Sequence, residues 1–528
     1  MSTFLSEDLT CVAAGILAGQ GRLQLPTALA GCYAGIVIGD GLLWLLGRSF
    51  GRQALTLPVL RRVATPDKIA RAERWFRRNG LLVVLASRFL PGTRFPTFLC
   101  AGMLGTGAKP FMLLALSAGL VWTPFLVWLG MNFGLAAGRV FGAFEEHPFL
   151  TLVAGVATLA VLFQGITLAS SRVERKLFRA RWGRRLRWEF LPPWALYLPL
   201  APWFLALALR HRGLRTVFCA NPAMPFGGFA GESKAAILRD LDLPPENGTA
   251  FLFVPAGGRP EERAGRILAW KEEQGLPWPL IVKPDVGQRG RGVRRAGDEA
   301  ELLDALEELP VDVLAQEYVD LPEEYGVFWV DDPRDGPRIL SITLKEFPCV
   351  AGDGRRSLED LILDHPRLRF WAERFFLRLG DRIGEVPAAG ERVALGIAGN
   401  HAQGTTFRDG TSLATPELAA AIEALARRYR DGGFHFGRFD LRAPSREAFQ
   451  RGEGLRVLEL NGVTSEATHI YDPERSLLQA WRDLGRQWAL AWRIGAGQRR
   501  KGHRPESWGA FLRALLRAHR LLRRLPRT

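Results

Sequence analysis

Long apolar stretches are confined to the first 210 residues of the chain. Residues 26–47, 110–136 and 148–171 are each apolar over the roughly 20 residues that a helix needs to cross a bilayer. After residue 240, short β-like runs alternate with amphipathic helical ones, which is the pattern of a water-soluble α/β domain. The pattern therefore predicts a helical membrane part joined to a soluble part.

A fourth apolar stretch, residues 81–105, differs from the other three. Two arginines and two prolines lie near its middle: Arg88, Pro91, Arg94 and Pro96. Charge and proline at that depth are costly in a spanning helix, so we expect this stretch to form a re-entrant hairpin. A shorter apolar run, 9–20, is too short to span comfortably, and the pattern leaves its placement open.

Basic residues indicate how the membrane part is oriented. Residues 48–78 and 172–188 are both rich in arginine and lysine, and such segments usually stay in the cytoplasm. An even number of crossings must then separate them. That condition holds if 110–136 and 148–171 span the membrane while 81–105 re-enters.

The formal net charge of +16 arises in two short segments. Residues 172–188 carry eight basic residues and one acidic residue, and residues 499–528 carry ten and one. Two concentrated patches favour an anionic membrane surface, not nucleic acid, as the partner. Within the tail, residues 508–525 are predicted to form a basic amphipathic helix on the anionic leaflet; packing on the soluble part is the alternative.

Two further segments connect the membrane and soluble parts. Residues 192–210 are apolar, contain four prolines and have basic flanks, so we expect them to dip into the membrane or lie on it. Residues 221–234 are rich in glycine and end in the sequence Gly-Glu-Ser-Lys. They are interpreted either as a plain linker or as a loop that holds a phosphorylated or lipid substrate over the soluble site.

Short motifs occur in a fixed order in residues 1–170. They are Glu7, Gly39-Asp40 with Gly47-Arg48, the run RFLPGTR at 88–94 and the run AGM at 101–103. This set resembles the DedA family of membrane proteins, also called the VTT domain. The resemblance implies re-entrant hairpins that meet near the membrane midplane, and translocation of a lipid such as undecaprenyl phosphate or phospholipid, with proton coupling as one form of it.

The same resemblance identifies candidate residues for lipid or proton transport. They are Glu7, Asp40, Arg88 and Arg94. The alternative is that the two arginines only pair with Asp40 or with backbone carbonyls and so hold the hairpin together. Buried ionisable groups in membranes are costly and usually have a use, which favours the functional interpretation.

The first chemical signal in the soluble part is Lys283, which lies at the end of the β-like run LIVKP. A loop with Gly287, Gly290 and Gly292 follows directly. Glycine lets backbone N–H groups close on phosphate oxygens, and a lysine supplies positive charge for the same oxygens. The loop matches neither the Walker pattern nor the dinucleotide fingerprint, so an ordinary turn is the alternative.

A second signal consists of two polar pairs in β-like sequence. Arg438 and Asp440 form one pair, and Glu459 and Asn461 form the other, each two residues apart and so on one face of a strand. If the strands are neighbours, three oxygen donors meet, which suits Mg²⁺ that carries nucleotide phosphates. Arg438 would then serve a γ-phosphate or a developing acyl phosphate. Polar edge strands facing water are the alternative.

Together the soluble motifs resemble the ATP-grasp superfamily over about residues 230–475. The superfamily includes D-alanine:D-alanine ligase and glutathione synthetase. The motifs occur in this order: IVKP, the glycine-rich loop, Gln316-Glu317-Tyr318-Val319, Glu324, Lys345, GRFD at 437–440 and ELN at 459–461. The resemblance implies ATP and Mg²⁺ as cofactors.

Residue by residue, the resemblance assigns roles at this site. It implies that Lys283 and the glycine-rich loop bind the α and β phosphates, Gln316 to Val319 the adenine, Glu324 the ribose, Lys345 and Arg438 the γ-phosphate, and Asp440, Glu459 and Asn461 the Mg²⁺. Asn400 and His401 occupy the place of a substrate-side loop. The implied catalytic residues are Arg438 and Lys345.

The implied reaction joins a carboxylate to an amine or a similar nucleophile through an acyl phosphate. The fold class predicted is an α-helical polytopic membrane domain with re-entrant hairpins, followed by a cytoplasmic α/β ATP-grasp domain. The expected segments are the DedA-like domain 1–171, the connection 172–235, the ATP-grasp domain 236–490 and the tail 491–528.

We thus predict a multi-pass protein of the bacterial inner membrane that acts as a ligase. Its expected partners are membrane lipids, the anionic cytoplasmic leaflet, and small-molecule or lipid-linked carboxylate and amine substrates, with no nucleic acid. One alternative is a lipid transporter whose ATP-grasp part only senses nucleotide. Another is a structural membrane scaffold.

Overall fold

The computed structural model describes residues 6–51, 76, 81–89, 94–140, 168, 172–287, 290–396, 399 and 401–525. It divides into two compact units. The first comprises Met1–Trp182 and Gly352–Ala389, and the second comprises Gly183–Ala351 and Gly390–Thr528.

Apolar helices build the N-terminal part of the first unit. They are α1 (Ser6–Gly19), α2 (Leu25–Phe50), α3 (Leu82–Phe89), α4 (Arg94–Met103) and α5 (Ala108–Val140). Two helical stretches, Leu25–Phe50 and Ala108–Asn132, are long and apolar enough to cross a membrane, and only a minority of their residues is buried. They coincide with two of the three predicted spans. The third, 148–171, lies outside the described residues apart from Leu168.

The stretch predicted to re-enter the membrane forms two short helices. Helix α3 has 8 residues and α4 has 10, while residues 90–93 lie outside the described part. At 1.5 Å per residue, neither helix can cross a hydrocarbon core of about 30 Å. Two short helices agree with a hairpin, and its placement in the membrane stays a prediction.

Glycines allow the helices of this unit to approach closely. A Cβ atom at Gly47 of α2 would lie 2.1 Å from the carbonyl oxygen of Leu99 of α4, and one at Gly102 of α4 would lie 2.1 Å from that of Trp44. Small residues that let helix backbones approach are a main source of helix association in lipid. This close packing holds α4 against α2, and with it Arg94 at the start of α4.

Two antiparallel sheets form the framework of the second unit. The small sheet has the order β1-β4-β2-β3, with β1 (Phe251–Val254), β2 (Leu280–Pro284), β3 (Arg294–Ala296) and β4 (Val313–Glu317). The large sheet has the order β11-β10-β5-β6-β9, with β5 (Glu323–Asp332), β6 (Gly336–Glu346), β9 (Thr406–Asp409), β10 (Phe436–Ala443) and β11 (Arg456–Asn461). Strands β7 (Cys349–Ala351) and β8 (Arg392–Ala394) pair separately.

Helices cover both sheets, as the alternating sequence pattern predicts. Those of the second unit are α7 (Pro193–Tyr197), α8 (Ala201–Arg210), α9 (Lys234–Leu241), α10 (Pro260–Glu273), α11 (Glu299–Glu308), α14 (Pro416–Arg427), α15 (Arg446–Gln450), α16 (Leu477–Arg500) and α17 (Trp508–Arg524). Side chains of α10 and α11 share a core with the small sheet.

Strand β5 lies at the centre of the large sheet and is buried on both faces. Tyr325, Val327 and Trp329 belong to a core that includes residues of α9 and α14. Phe328 and Val330, on the opposite face, belong to a core that includes residues of α8 and α16. Because side chains alternate along a strand, β5 joins two apolar layers into one unit.

The tail helix α17 packs on the soluble unit by one face. The ring centroid of Phe511 lies 5.0 Å from that of Phe218 and 5.5 Å from those of Phe226 and Phe229. Trp508 and Leu512 remain more than half exposed. The tail helix therefore packs on the protein, as the alternative interpretation predicted, and its outer apolar face stays exposed.

Basic residues after the membrane part have partners inside the first unit. Helix α6 (Arg172–Leu186) begins there, and residues 352–389 add α12 (Leu358–Asp364) and α13 (Ala372–Leu379). Lys176 Nζ lies 2.6 Å from Asp364 Oδ1, and this contact lowers the pKa of Asp364. Part of the 172–188 charge thus pairs within the protein.

Candidate active site

The two polar pairs of the soluble part lie on neighbouring strands, as expected. Strand β10 pairs antiparallel with β11, which places Arg438 opposite Asn461 and Asp440 opposite Glu459. Asn461 Nδ2 donates a hydrogen bond of 3.0 Å to Asp440 Oδ2. All four side chains therefore share one face of the large sheet.

Asp440 is the centre of this cluster and is buried. Arg438 contacts both of its carboxylate oxygens, with Nε at 3.1 Å from Oδ1 and Nη2 at 3.0 Å from Oδ2. Lys345 Nζ, from β6, lies 2.9 Å from Oδ1. Burial alone would raise the pKa of Asp440, but Arg438 and Lys345 outweigh it and lower the pKa to about 2. The carboxylate is therefore ionised at neutral pH.

Glu324 shares Lys345 with Asp440 and links it to a further arginine. Lys345 Nζ lies 3.0 Å from Glu324 Oε1, and Arg442 Nε donates to Glu324 Oε2 at 3.1 Å. Burial opposes the charge on Lys345, but the two carboxylates raise its pKa. Arg442 was not predicted from the sequence, although it lies two residues after Asp440 and the same alternation could have identified it.

The predicted adenine segment connects the two sheets. Gln316 Nε2, on β4, donates to the carbonyl oxygen of Leu458 on β11 at 3.1 Å. Glu317 is held by Arg456 of β11, with Nη2 at 2.8 Å from Oε2. The backbone carbonyl of Val319 accepts a hydrogen bond of 2.6 Å from Arg442.

Two arginine side chains lie close to the aromatic ring of Tyr318, which belongs to the same segment. The guanidinium carbons of Arg295 and Arg442 lie 5.4 Å and 5.6 Å from the centroid of the Tyr318 ring. Together with the interstrand contacts, this fixes Gln316 to Val319 as a rigid edge between the sheets, where a flat base could bind.

Lys283 is buried at the end of β2, in the small sheet. Burial lowers the pKa of its ammonium group, and the charges of Glu459 and Asp440 act in the opposite direction. Lys283 therefore lies within electrostatic reach of the carboxylates on the large sheet. In the following loop, Gly290 and Gly292 have φ of +66° and +75°. A Cβ at Gly292 would lie 2.9 Å from Pro284, so the tight turn requires glycine.

The glycine-rich segment 221–234 is part of the site, and the plain-linker interpretation is wrong. Buried Asn221 donates to the carbonyl oxygens of Gly227 and Phe436 at 3.1 Å and 2.7 Å, which ties the segment to β10. Lys234 Nζ lies 2.9 Å from the carbonyl oxygen of Gly287 and 3.7 Å from Glu459 Oε1. The segment thus contacts both the glycine-rich loop and the metal-ligand strand.

Glu232 brings another carboxylate to this region, and the sequence did not single it out by itself. Its Oε1 atom is buried and has no hydrogen-bond partner among the described residues. Burial raises the pKa of Glu232 to about 7, with Lys234 opposing the shift and Glu459 adding to it. Near neutral pH its carboxyl group is therefore partly protonated.

The other side of the cluster leads to the predicted substrate loop. Arg438 Nη1 donates to the backbone carbonyl of Glu466 at 2.9 Å. The Glu466 carboxylate accepts hydrogen bonds from the Tyr197 and Tyr471 hydroxyl groups, at 2.6 Å and 2.8 Å. The His401 ring lies 5.3 Å from that of Tyr471. Asn400 lies outside the described residues.

The oxygen donors at the centre of the site fit a hard divalent cation. Asp440, Glu459 and Asn461 offer two carboxylates and an amide oxygen, which is a donor set that Mg²⁺ accepts. Within the described ranges no group of three His, Cys, Asp or Glu residues could hold a metal ion, so carboxylates alone do not complete such a site. A bound cation would also need phosphate or water oxygens.

In the first unit, three of the four predicted transport residues meet. Arg88 pairs with Asp40 Oδ2, and Arg94 Nε donates to Asp40 Oδ1 at 2.7 Å. Two further Arg88 nitrogens, Nε and Nη2, are buried without a hydrogen-bond partner in the part that the structure describes. The side chain of Glu7, on α1, is not among the described ones. The cluster has one negative and two positive charges.

The N-terminal part of the chain matches a known family. Residues 5–132 match the model described as the VTT domain. An uncharacterized membrane protein of Haemophilus influenzae is 28% identical over 133 residues, which cover 24% of this chain and 61% of that protein. Inner membrane protein YohD of Escherichia coli is 34% identical over 136 residues, or 25% and 67% of the two chains. Undecaprenyl phosphate transporter A of Bacillus subtilis is 22% identical over a region that covers 31% of this chain and 82% of that protein.

The soluble part resembles solved ligase structures. A bifunctional glutathione synthetase from Pasteurella multocida has a TM-score of 0.26 at 19% identity, covering 48% of this chain and 35% of that one. D-alanine--D-alanine ligase from Bacillus anthracis has a TM-score of 0.30 at 13% identity, covering 51% and 68%. D-cycloserine synthetase DcsG has a TM-score of 0.29 at 14% identity, covering 59% of this chain and 93% of that one. The interpretation of this unit rests instead on its own strands and side chains.

Substitution of Glu232 should change how stability depends on pH. A glutamate whose pKa is raised in the folded protein, here from 4.5 to about 7, makes stability fall as pH rises through that window. The loss reaches about 3 kcal/mol at pH 8, and Glu232→Gln should remove it. Unfolding of the purified protein at pH 5 and pH 8 measures this. The exposed control Glu246→Gln should keep the wild-type pH dependence, and the same dependence in Glu232→Gln would refute the assignment.

Substitution of Asp40 should destabilise the first unit. Asp40→Asn removes the counter-charge of buried Arg88 and one ionic partner of Arg94, which costs roughly 3–5 kcal/mol. The apparent melting temperature in detergent should fall, and adding Arg88→Gln to Asp40→Asn should recover part of the loss. Equal melting temperatures for the wild type and Asp40→Asn would show that the pair does not hold the hairpin helices.

Proposed function

The chain belongs to the VTT-domain (DedA) family of membrane proteins through residues 5–132, and we propose that it is a membrane-bound ATP-dependent ligase of the ATP-grasp type. One observation carries the proposal. Three cations, Lys283, Lys345 and Arg438, converge from two antiparallel sheets on the oxygen donors of β10 and β11. A triphosphate and a divalent cation need this combination of charges.

In this proposal, groups on the two sheets bind different parts of the nucleotide. Lys283 and the glycine-rich loop, on the small sheet, would hold the α and β phosphates. Gln316 to Val319 would hold the adenine through backbone groups, because the side chains of Gln316 and Glu317 are already bonded to other parts of the protein. Glu324 would bind the ribose after giving up its contacts with Lys345 and Arg442.

Ion pairs at the cluster prepare it for a highly charged ligand. Lys345 and Arg438 are both held against Asp440, so their positive charges are balanced and oriented before any phosphate arrives. Charges that are already oriented reduce the rearrangement needed to stabilise a transition state. Mg²⁺ held by Asp440, Glu459 and Asn461 would neutralise phosphate charge.

The proposed reaction proceeds in two steps. A carboxylate oxygen of the first substrate attacks the γ-phosphorus of ATP, which forms an acyl phosphate and releases ADP. An amine of the second substrate then attacks the acyl carbon, loses a proton and displaces inorganic phosphate, which leaves an amide. Lys345 and Arg438 align and stabilise the transferred phosphoryl group.

We place the ligase unit on the cytoplasmic side of a bacterial inner membrane. ATP is available there, and the basic segment 172–188 favours that side. Relatives over the VTT region are named as membrane proteins, and two helices are long enough to span. The four predicted segments, 1–171, 172–235, 236–490 and 491–528, remain the proposed domain order.

A second candidate function is lipid transport by the VTT domain, with the ligase unit only sensing nucleotide. The Asp40–Arg88–Arg94 cluster favours it, because two nitrogens of Arg88, Nε and Nη2, have no hydrogen-bond partner among the described residues and could donate to an anionic lipid phosphate. One relative of this region is named as an undecaprenyl phosphate transporter. The candidate Mg²⁺ ligands beside Lys345 and Arg438, which phosphoryl transfer needs, favour the ligase.

Release of ADP by the purified full chain, with ATP, Mg²⁺, pooled amino acids and a bacterial lipid extract, tests the proposal. Lys283→Met and Glu459→Gln should each lower the rate roughly 100-fold or more, because the first removes a cation that would contact the phosphates and the second removes a carboxylate that would hold Mg²⁺. Lys271→Met, a control at a lysine that stacks on Trp278, should keep the wild-type rate. Unchanged rates in the first two variants would exclude the ligase. Nucleotide-dependent lipid movement without a ligated product would favour the transporter.

A further inference from the structure

Residues 188–210, here called the interfacial segment, are fixed to the soluble unit by tryptophan hydrogen bonds. Trp188 Nε1 donates to the carbonyl oxygen of Arg475 at 3.0 Å, and Trp203 Nε1 donates to that of Gly485 at 3.0 Å. From the other side, Trp481 Nε1 donates to the carbonyl oxygen of Leu196 at 2.9 Å. The segment is therefore packed as an integral part of this unit.

The inner face of the interfacial segment reaches the candidate active site. Tyr197 donates its hydroxyl hydrogen bond to Glu466, whose backbone carbonyl is bound by Arg438. Phe190 lies with its ring 5.4 Å from that of His401, on the predicted substrate loop. Glu189, which is buried, has its Oε2 atom 3.5 Å from His401 Nε2. This segment thus supplies side chains beside Arg438 and His401.

The outer face of the same segment is apolar and exposed. The exposed fractions of Trp194, Leu198 and Leu209 are 71%, 66% and 73%. Exposed arginines flank the face on both sides, at 184, 185 and 187 and at 210 and 212. Tryptophan and leucine flanked by arginine are typical of segments that lie in the headgroup region of an anionic bilayer. The segment also belongs to a chain that already carries a membrane domain.

Inner and outer faces belong to the same short helix. Trp194 and Tyr197 belong to α7, and Leu198 is the residue that follows it. The exposed side chains and the hydroxyl group that contacts Glu466 are therefore separated by no more than about the 10–12 Å diameter of a helix. A membrane in contact with Trp194 and Leu198 would therefore lie about one helix diameter from the Glu466 carboxylate, and Arg438 lies beyond it, on the backbone carbonyl of Glu466.

We propose that the interfacial segment lies in the headgroup region of an anionic membrane, and that one substrate of the ligase is an amphiphile whose reactive carboxylate or amine is carried on a lipid headgroup. The headgroup must extend more than one helix diameter, about 10–12 Å, from the interface to pass Glu466 and reach Arg438. The second substrate enters from water. This inference rests on the proposed ligase function and decides between its small-molecule and lipid-linked substrates.

Membrane contact is tested with the full chain in nanodiscs of phosphatidylcholine and phosphatidylglycerol. A nitroxide label is placed at Leu198→Cys or, as a control, at Glu307→Cys on α11, with Cys32 and Cys349 replaced by serine. Collisions with oxygen, which concentrates in lipid, and with a water-soluble nickel chelate are compared. The label at position 198 should favour oxygen, and the label at 307 should favour nickel. Equal preference for nickel at both positions would overturn the membrane contact.

The substrate class is tested by ADP release in the same nanodiscs, with the lipid extract and with water-soluble metabolites supplied separately. The lipid extract should stimulate release, and the double variant Leu198→Ser/Leu205→Ser should lower that stimulation at least tenfold without changing the affinity for ATP. Leu377→Ser, an exposed leucine of the first unit, is the control. Stimulation by metabolites alone, unaffected by the double variant, would overturn this inference and leave the ligase intact. Absence of ATP binding would overturn both.

Discussion

In each unit, a buried aspartate held by two basic side chains fixes the position of the candidate functional groups. Asp40 holds Arg88 and Arg94 in the first unit, and Asp440 holds Lys345 and Arg438 in the second. A buried charge without a partner is far more costly than the pair, so these contacts constrain the helices and strands that carry them. Both clusters hold two basic side chains against one aspartate, where they could also contact an anionic ligand.

The fold of the second unit serves to bring such groups together from distant parts of the chain. Strand β5 carries two apolar layers, and its neighbours β6 and β10 present Lys345 and Arg438 beside Asp440. Segment 221–234 adds Lys234 and Glu232 from outside the sheets. The interfacial segment adds Tyr197 at the opposite side of Arg438. The site is thus surrounded by chain segments that are remote in sequence.

Patterns with a strict period were predictable from the sequence. Alternation along two strands placed Arg438, Asp440, Glu459 and Asn461 on one face, and their register confirms that the strands are neighbours. The two helices that are long and apolar enough to cross a membrane, α2 and α5, followed from continuous apolar length. In contrast, nothing periodic marks Glu232, Lys234 or Glu466, because loops bring them to the site and only long-range contacts decide where loops lie. The linker interpretation failed for this reason: glycine content predicts flexibility, whereas Asn221 and the close backbone contacts make the segment rigid.

We propose above all that the cluster around Asp440 binds a magnesium nucleotide. Calorimetric titration of the full chain in nanodiscs with a non-hydrolysable ATP analogue, with and without Mg²⁺, measures this directly. We expect one nucleotide per chain, bound much more tightly with Mg²⁺, and loss of that difference in Asp440→Asn. Binding that is equally tight with and without Mg²⁺, or no binding at all, would contradict it.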